Sequence, residues 1–207
     1  MKVTVVDHPL AAEQLTVLRD ETTDRATFRR AVDNLAAMLI YEATRDLAVE
    51  TTQVRTPLGP AEGVRLPRLP VVVPVLRAGL GMADAAIRLL PEAEMSFVGL
   101  ARDEETFEPH NYMAKLPARL GGRPVIILDP MLATGGSLEF TCRLVADRGG
   151  GHMTVVCVLA APEGLKRMEA AGFDLHIVTA AIDDHLNEHA YIVPGLGDAG
   201  DRLFGLG

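Results

Sequence analysis

From Leu69 onward, short aliphatic runs alternate with stretches of helical spacing. The runs lie near Val71 to Val75, Ser96 to Ala101, Val125 to Leu128, Met153 to Leu159 and Leu175 to Thr179. Val125-Ile126-Ile127-Leu128 has no polar position at all, which suits a strand buried on both faces of a parallel sheet. Between the runs, Leu80 to Leu90, Ser137 to Arg148 and Pro162 to Ala171 predict helices, and Gly149-Gly150-Gly151 reads as a helix stop. Alternation of this kind predicts an α/β domain built on a mainly parallel sheet.

The ends of the chain do not follow that alternation. Phe28, Val32, Leu35 and Leu39 recur at helical spacing, predicting a helix over Asp24 to Asp46 capped by Thr23 or Asp24. Val49 to Val54 and Gly63 to Leu66 flank Pro57-Leu58-Gly59-Pro60, which predicts a hairpin. This opening portion reads as an added layer or assembly surface. Asp103 to Pro124 is long, charged and punctuated by Pro109 and Pro117, as a mobile cover over a site would be. The final segment, Ile182 to Gly207, is dense in glycine, and no internal repeat is present.

A chain of 207 residues suits one domain, 1–207, with its core at about 69–181 and the segments 1–68 and 182–207 as additions. No apolar stretch approaches the roughly 18 residues of a membrane span. Met1-Lys2-Val3-Thr4 has no apolar run behind a basic head, so the expectation is a cytoplasmic protein without membrane partners. Cys142 and Cys157 are far apart and read as core thiols rather than a disulfide or a zinc site. The net charge of -8 opposes a broad nucleic-acid footprint, so a polyanionic ligand would need local arginines.

Chemistry concentrates at strand ends. Asp129 follows the Val125 to Leu128 run, where ligands of open α/β sheets bind. Pro130-Met131-Leu132 then leads into Ala133-Thr134-Gly135-Gly136-Ser137, whose small residues let backbone N–H groups converge on an anion at a helix start. No Lys follows the second glycine, so this is not the nucleotide P-loop, and it is not a G-x-G-x-x-G fingerprint. An acid ahead of a phosphate loop suits a sugar phosphate, although an ordinary strand-to-helix turn with Ser137 as cap would read similarly. Arg77, in Pro74-Val75-Leu76-Arg77-Ala78-Gly79-Leu80-Gly81, should emerge at the same sheet edge, and its fork suits a diphosphate. Arg102 closes the next strand. Glu104 and Glu105 behind it read as a solvated charge run. Near the end, the glycines around Pro194 in Ile192-Val193-Pro194-Gly195-Leu196-Gly197-Asp198-Ala199-Gly200-Asp201 expose peptide groups able to read the edge of a flat base. His185 and His189, beside Asp183 and Asp184, invite a metal reading, but no third ligand is evident.

The stretch Asp129-Pro130-Met131-Leu132-Ala133-Thr134-Gly135-Gly136-Ser137 resembles the 5-phosphoribosyl 1-diphosphate (PRPP) loop of type I phosphoribosyltransferases. Most of that family carries a second acid where this chain has Pro130, and the departure matches its uracil branch. The resemblance extends from Asp7-His8-Pro9-Leu10 and Tyr41-Glu42-Ala43-Thr44 to Pro194 to Asp201. It is weaker in the hairpin and at Glu108-Pro109-His110-Asn111. It implies a type I phosphoribosyltransferase fold, a mainly parallel central sheet flanked by helices, with a hood formed by terminal segments and a β-hairpin arm. It implies transfer of phosphoribose from PRPP to uracil. Arg77 and Arg102 would take the diphosphate, Asp129 to Ser137 the ribose and 5-phosphate, and Ile192 and Gly197 to Ala199 the base. Asp198 would also contact PRPP, and Lys115 would lie on the flap. Asp129, Arg102 and Asp198 are the candidates for catalysis. Mg2+ carried by PRPP is the implied cofactor, and a homodimer or larger assembly the implied state. Some relatives are activated by GTP and others are not. Two further readings stay open, a PRPP-fold pyrimidine regulator that binds RNA and a PRPP protein serving another base or none.

Overall fold

The computed structural model describes residues 1–102 and 109–205. The chain opens with strand β1 (Lys2–Val5) and helices α1 (Pro9–Arg19) and α2 (Arg25–Ala43), followed by the hairpin β2 (Glu50–Thr56) and β3 (Gly59–Arg65). Strand β4 (Val71–Leu76) runs into a 3-10 turn (Ala78–Met82) and α3 (Ala83–Leu89). Then come β5 (Glu94–Met95), β6 (Phe97–Arg102), β7 (Pro109–Lys115), β8 (Val125–Leu128) and β9 (Met131–Leu132). Helix α4 (Gly136–Asp147), β10 (Met153–Ala160), α5 (Pro162–Ala170) and β11 (Leu175–Ile182) continue the alternation. The chain closes with β12 (His185–Leu186), β13 (Ile192–Val193) and α6 (Ala199–Phe204).

The main sheet has the order β1-β11-β10-β8-β4-β6-β7, with β5 beside β4 and β9 beside β10. Its pairings are parallel except that of β6 with β7. The period of two divides β8 between two layers, which explains its lack of polar positions. Ile126 and Leu128 join the core formed with α1 and α2, where Phe28, Leu35, Leu39 and Ile40 are buried. Val125 and Ile127 join the opposite core, with Leu138, Cys142 and Val145 of α4 and Met168 of α5. Both cysteines are free and buried, and desolvation pushes each thiol up to about 12.

The predicted strands and helices all occur, with shifted ends. Helix α2 is capped by Asp24, whose carboxylate accepts from Thr27 N at 3.0 Å, and it stops at Ala43 rather than Asp46. The predicted 80–90 helix is divided into the 3-10 turn and α3.

Three segments differ more. The opening portion is not only a layer: β1 extends the sheet by pairing with β11, and α2 supplies a large part of one core. Helix α1 has no counterpart in the sequence reading, although Pro9 opens it and His8 Nδ1 accepts from Leu10 N at 3.2 Å. The long segment after Asp103 contains β7, which has little apolar alternation and is held by the open edge of β6.

Candidate active site

Strands β4 and β8 lie side by side in parallel, with Pro74 opposite Leu128. The chain leaves β4 toward β6 on one side and returns through β8 on the other. The two outgoing loops therefore splay apart at the carboxyl edge of the sheet, the usual ligand crevice of an open α/β sheet. Arg77 follows β4 and Asp129 follows β8, and both line one cleft of about 870 Å³. Gly79 permits the approach of the first loop, because a Cβ there would run into the Leu128 carbonyl oxygen.

The stretch from Met131 to Ser137 lines the same cleft. The Leu132 carbonyl accepts from Ala161 N at 2.8 Å, which ties the loop to the end of β10 and the start of α5. Gly135 has φ +81° and no side-chain cap stands at the start of α4, so Ser137 is not the cap. Helical N–H groups of a first turn lack intrahelical partners and, with the helix dipole, favour an anion there. Asp129 is 9% exposed. Pro130 is not among the cleft-lining residues; its carbonyl accepts from Val158 N at 2.9 Å and Leu159 N at 3.0 Å.

Ile192, Gly197, Asp198 and Ala199 line the same cleft. Asp198 caps α6, its Oδ1 accepting from Asp201 N at 2.9 Å. Asp201, to which the sequence reading gave no role, also lines the cleft, with its Oδ1 3.6 Å from Arg77 Nη2. This pair joins the β4 loop to the C-terminal segment. Tyr112 and Tyr191, to which the sequence gives no role, add to the lining, as does His189, considered there only as a metal ligand. Tyr112 is the extra residue of a bulge, since Gly99 pairs with Met113 and Leu100 with Asn111. Bulges re-aim side chains beside sites, and the sequence carries no signal for one here. Lys115 ends β7, exposed and outside the cleft lining. Arg102 closes β6, and its side chain lies outside the described residues, as do Glu104, Glu105 and Glu108.

Asp183 is structural and takes no part in a metal site among the described residues. Asp183 is 7% exposed and accepts a forked pair of bonds from Arg19, at 2.8 and 2.5 Å, and a third from Gly195 N at 2.8 Å. Burial pushes its carboxyl up, but these donors and the Arg19 charge outweigh it and hold the pKa below the ordinary value. His189 Nε2 lies 3.5 Å from Glu188. No group of three candidate metal ligands occurs among the described residues. No helix of the described residues is long and apolar enough to cross a membrane.

The cleft thus combines a helix start lined by small residues, a buried carboxylate beside it, an arginine at the neighbouring strand end and a glycine-containing segment, Ile192 with Gly197 to Ala199. That set suits a phosphorylated sugar, a second anionic group and a flat polar ring.

Comparisons with known proteins agree in kind. The family model for uracil phosphoribosyltransferase matches residues 5–206. The uracil phosphoribosyltransferase of Corynebacterium efficiens is 55% identical over 205 residues, covering 99% of this chain and 97% of its own. That of Corynebacterium diphtheriae is 52% identical over 205 residues, with the same 99% and 97% coverage. A solved structure from Aquifex aeolicus matches with a TM-score of 0.93 at 40% identity, covering 99% of this chain and 98% of its own. The adenine phosphoribosyl transferase of Trypanosoma brucei, solved with AMP, pyrophosphate and ribose-5-phosphate, shares the fold at a TM-score of 0.57 and 13% identity, covering 95% of this chain and 88% of its own.

Proposed function

Because this chain belongs to the uracil phosphoribosyltransferase family, we propose that its cleft transfers the phosphoribosyl group of PRPP to uracil, giving UMP and diphosphate. The fold is that of the type I phosphoribosyltransferases. One observation carries the assignment of the site: three groups distant in sequence, Arg77, Asp129 with Met131 to Ser137, and Ile192 with Gly197 to Ala199, line a single cleft.

In this reading the bond from the anomeric carbon to the diphosphate breaks as the bond to uracil N1 forms. Positive charge grows on the ribose ring and negative charge on the leaving group, so the protein acts mainly by positioning and charge stabilisation. Arg77, with Arg102, holds the diphosphate, and each charge-assisted hydrogen bond contributes about 1.5–3 kcal/mol. The amides and hydroxyls of Ala133 to Ser137 clamp the 5-phosphate, with Met131 and Leu132 shaping the approach. Asp129 accepts from the ribose hydroxyls. The main chain of Ile192 and Gly197 to Ala199 reads uracil, and Asp198 assists the loss of the N1 proton through a water.

Mg2+ is expected to arrive on PRPP. Magnesium keeps several waters and is held by substrate phosphates with one or two carboxylates rather than by a protein cage. The hard oxygens of Asp129, Asp198 and Asp201 along the cleft fit that role. When bound, the ion supplies charge neutralisation on the diphosphate.

The hairpin β2–β3 carries exposed Val54, Leu58 and Val64, which supports self-association into a dimer or larger assembly. Light scattering tests that part. The function is tested by incubating the protein with PRPP, Mg2+ and each nucleobase in turn, with and without GTP. UMP formed from uracil is the expected outcome, and nucleotide formed only from another base, or from none, would overturn the assignment.

A further inference from the structure

We infer that the C-terminal turn of α1, Leu18-Arg19-Asp20, is the template that sets the shape of the base-reading loop, with Arg19 as a positioning residue for uracil. The inference rests on the reading that Ile192 and Gly197 to Ala199 bind the base.

Reading a base with peptide groups demands a fixed backbone, because hydrogen bonds discriminate only when donors and acceptors are held to within about 0.5 Å. The loop from Pro194 to Asp198 is poorly suited to hold itself. Gly195 has φ +63° and Gly197 has φ +79°, and glycines leave a loop many competing conformations. Something outside the loop must select one of them.

The selecting contacts come from α1. Both polar groups of Gly195 are taken by one ion pair: its N–H donates to Asp183 Oδ2 at 2.8 Å, and its carbonyl accepts from Arg19 Nη1 at 2.8 Å. The next carbonyl, that of Leu196, accepts from Arg202 Nη1 at 2.8 Å. Arg202 is itself seated on the same turn of α1, donating to the Leu18 carbonyl and, at 2.6 Å, to the Asp20 carbonyl. Its guanidinium lies 4.2 Å from the centroid of the Phe28 ring. Asp183 is anchored in turn, its N–H donating to the Ala160 carbonyl at the end of β10 at 2.9 Å.

Two arginines, both fixed to Leu18-Arg19-Asp20, thus consume successive carbonyls of the loop and turn them away from the cleft. Gly197 and Asp198 remain as its cleft-facing wall. The forked geometry matters, since Arg19 bridges the carboxylate and the Gly195 carbonyl together. A lysine keeps the charge but not the planar fork.

Most of the PRPP side of the cleft is built differently, from the loops after β4 and β8, which make none of these contacts, and Asp198 is fixed separately, its Oδ1 accepting from Asp201 N at 2.9 Å. Loss of the Arg19 fork is therefore expected to act on the base and not on PRPP. The test is steady-state kinetics of the full chain carrying Arg19→Lys, and separately the double variant Arg19→Met with Asp183→Asn. The second removes both charges, so that no buried carboxylate is left unpaired if the first variant folds badly. Misplacement of a reading group by about 1 Å costs up to about 100-fold. The expected result is a uracil KM raised about 10- to 100-fold with the PRPP KM within about threefold, in variants whose circular dichroism matches the wild type.

A merely structural pair would lower Tm and leave the ratio of the two KM values unchanged. Folded variants with an unaltered uracil KM, or with both KM values raised together, would overturn the inference while leaving the function standing. A wild-type chain that forms no UMP from uracil would instead overturn the function, and the inference with it.

Discussion

Gly164→Ala sets two measurable effects against each other beneath the phosphate loop. Gly164 is the third residue of α5 and is buried. Alanine at a helical position is favoured over glycine by about 1 kcal/mol, so propensity alone predicts a stabilised protein. The tertiary structure predicts the reverse. A Cβ at Gly164 would run into the Ala133 carbonyl oxygen and lie 2.9 Å from Leu132 Cδ1 and 3.0 Å from its Cγ. Leu132 is fully buried and cannot swing aside, and its carbonyl is held by Ala161 N at 2.8 Å. The methyl group must therefore push the loop and α5 apart, and overpacking of this kind costs about 1–3 kcal/mol. The balance is about 0–2 kcal/mol of net destabilisation, and at 2–4 °C per kcal/mol for a chain of this size Tm falls by roughly 0–8 °C. Because the displaced atoms belong to the loop proposed for the 5-phosphate, the PRPP KM should rise about tenfold while the uracil KM changes little. Thermal unfolding followed by circular dichroism, with steady-state kinetics on the same preparation, measures both. A Tm raised by 2–4 °C with an unchanged PRPP KM would refute the reasoning, since the loop would then not rest on Gly164.

Asp129→Asn should lower kcat/KM by about 10- to 100-fold with little change in Tm, as expected for loss of one charge-assisted contact of about 1.5–3 kcal/mol; unchanged turnover would remove Asp129 from the site. Gly197→Val should weaken uracil binding far more than PRPP binding, because its φ of +79° disfavours a branched side chain even though only Arg202 Cδ, at 3.8 Å, lies near; equal effects on both substrates would count against backbone reading of the base. Asp183 has a lowered pKa in the folded protein, so its stabilising contribution is present above the unfolded carboxylate value of about 3.9 and is lost as pH falls through its lower folded value. Acid unfolding curves should therefore flatten at their low-pH end in Asp183→Asn, and superimposable curves would contradict that sign. The thiols of Cys142 and Cys157, buried and pushed up to about 12, should resist a thiol reagent at pH 8 until the chain unfolds, which absorbance of the released chromophore reads directly.

The parts of this molecule that sequence periodicity reported well are those whose burial is decided by near neighbours. The run Val125 to Leu128 is apolar throughout because both its faces meet helices, and β8 has those limits. The small residues from Ala133 to Ser137 marked a loop at a strand end, and Gly197 to Ala199 a second segment, that line one cleft. Strands β1 and β7 are not legible in this way: β1, Lys2-Val3-Thr4-Val5, is β-branched but short and mostly exposed, and β7 has little apolar alternation. Each exists through hydrogen bonds to the open edge of β11 or β6.

The same division runs through the site. Residue types and their order along the chain determined an α/β sheet, a small-residue loop after an acid, an arginine at the neighbouring strand end and a glycine-rich tail. The tertiary structure alone decided which groups hold which. Arg19 meets Asp183 across 164 positions of sequence, Arg202 meets Leu18 across 184, and Arg77 meets Asp201. Periodicity records how often a residue turns toward the interior, and it carries no term for partners that only the folded sheet brings within hydrogen-bond reach.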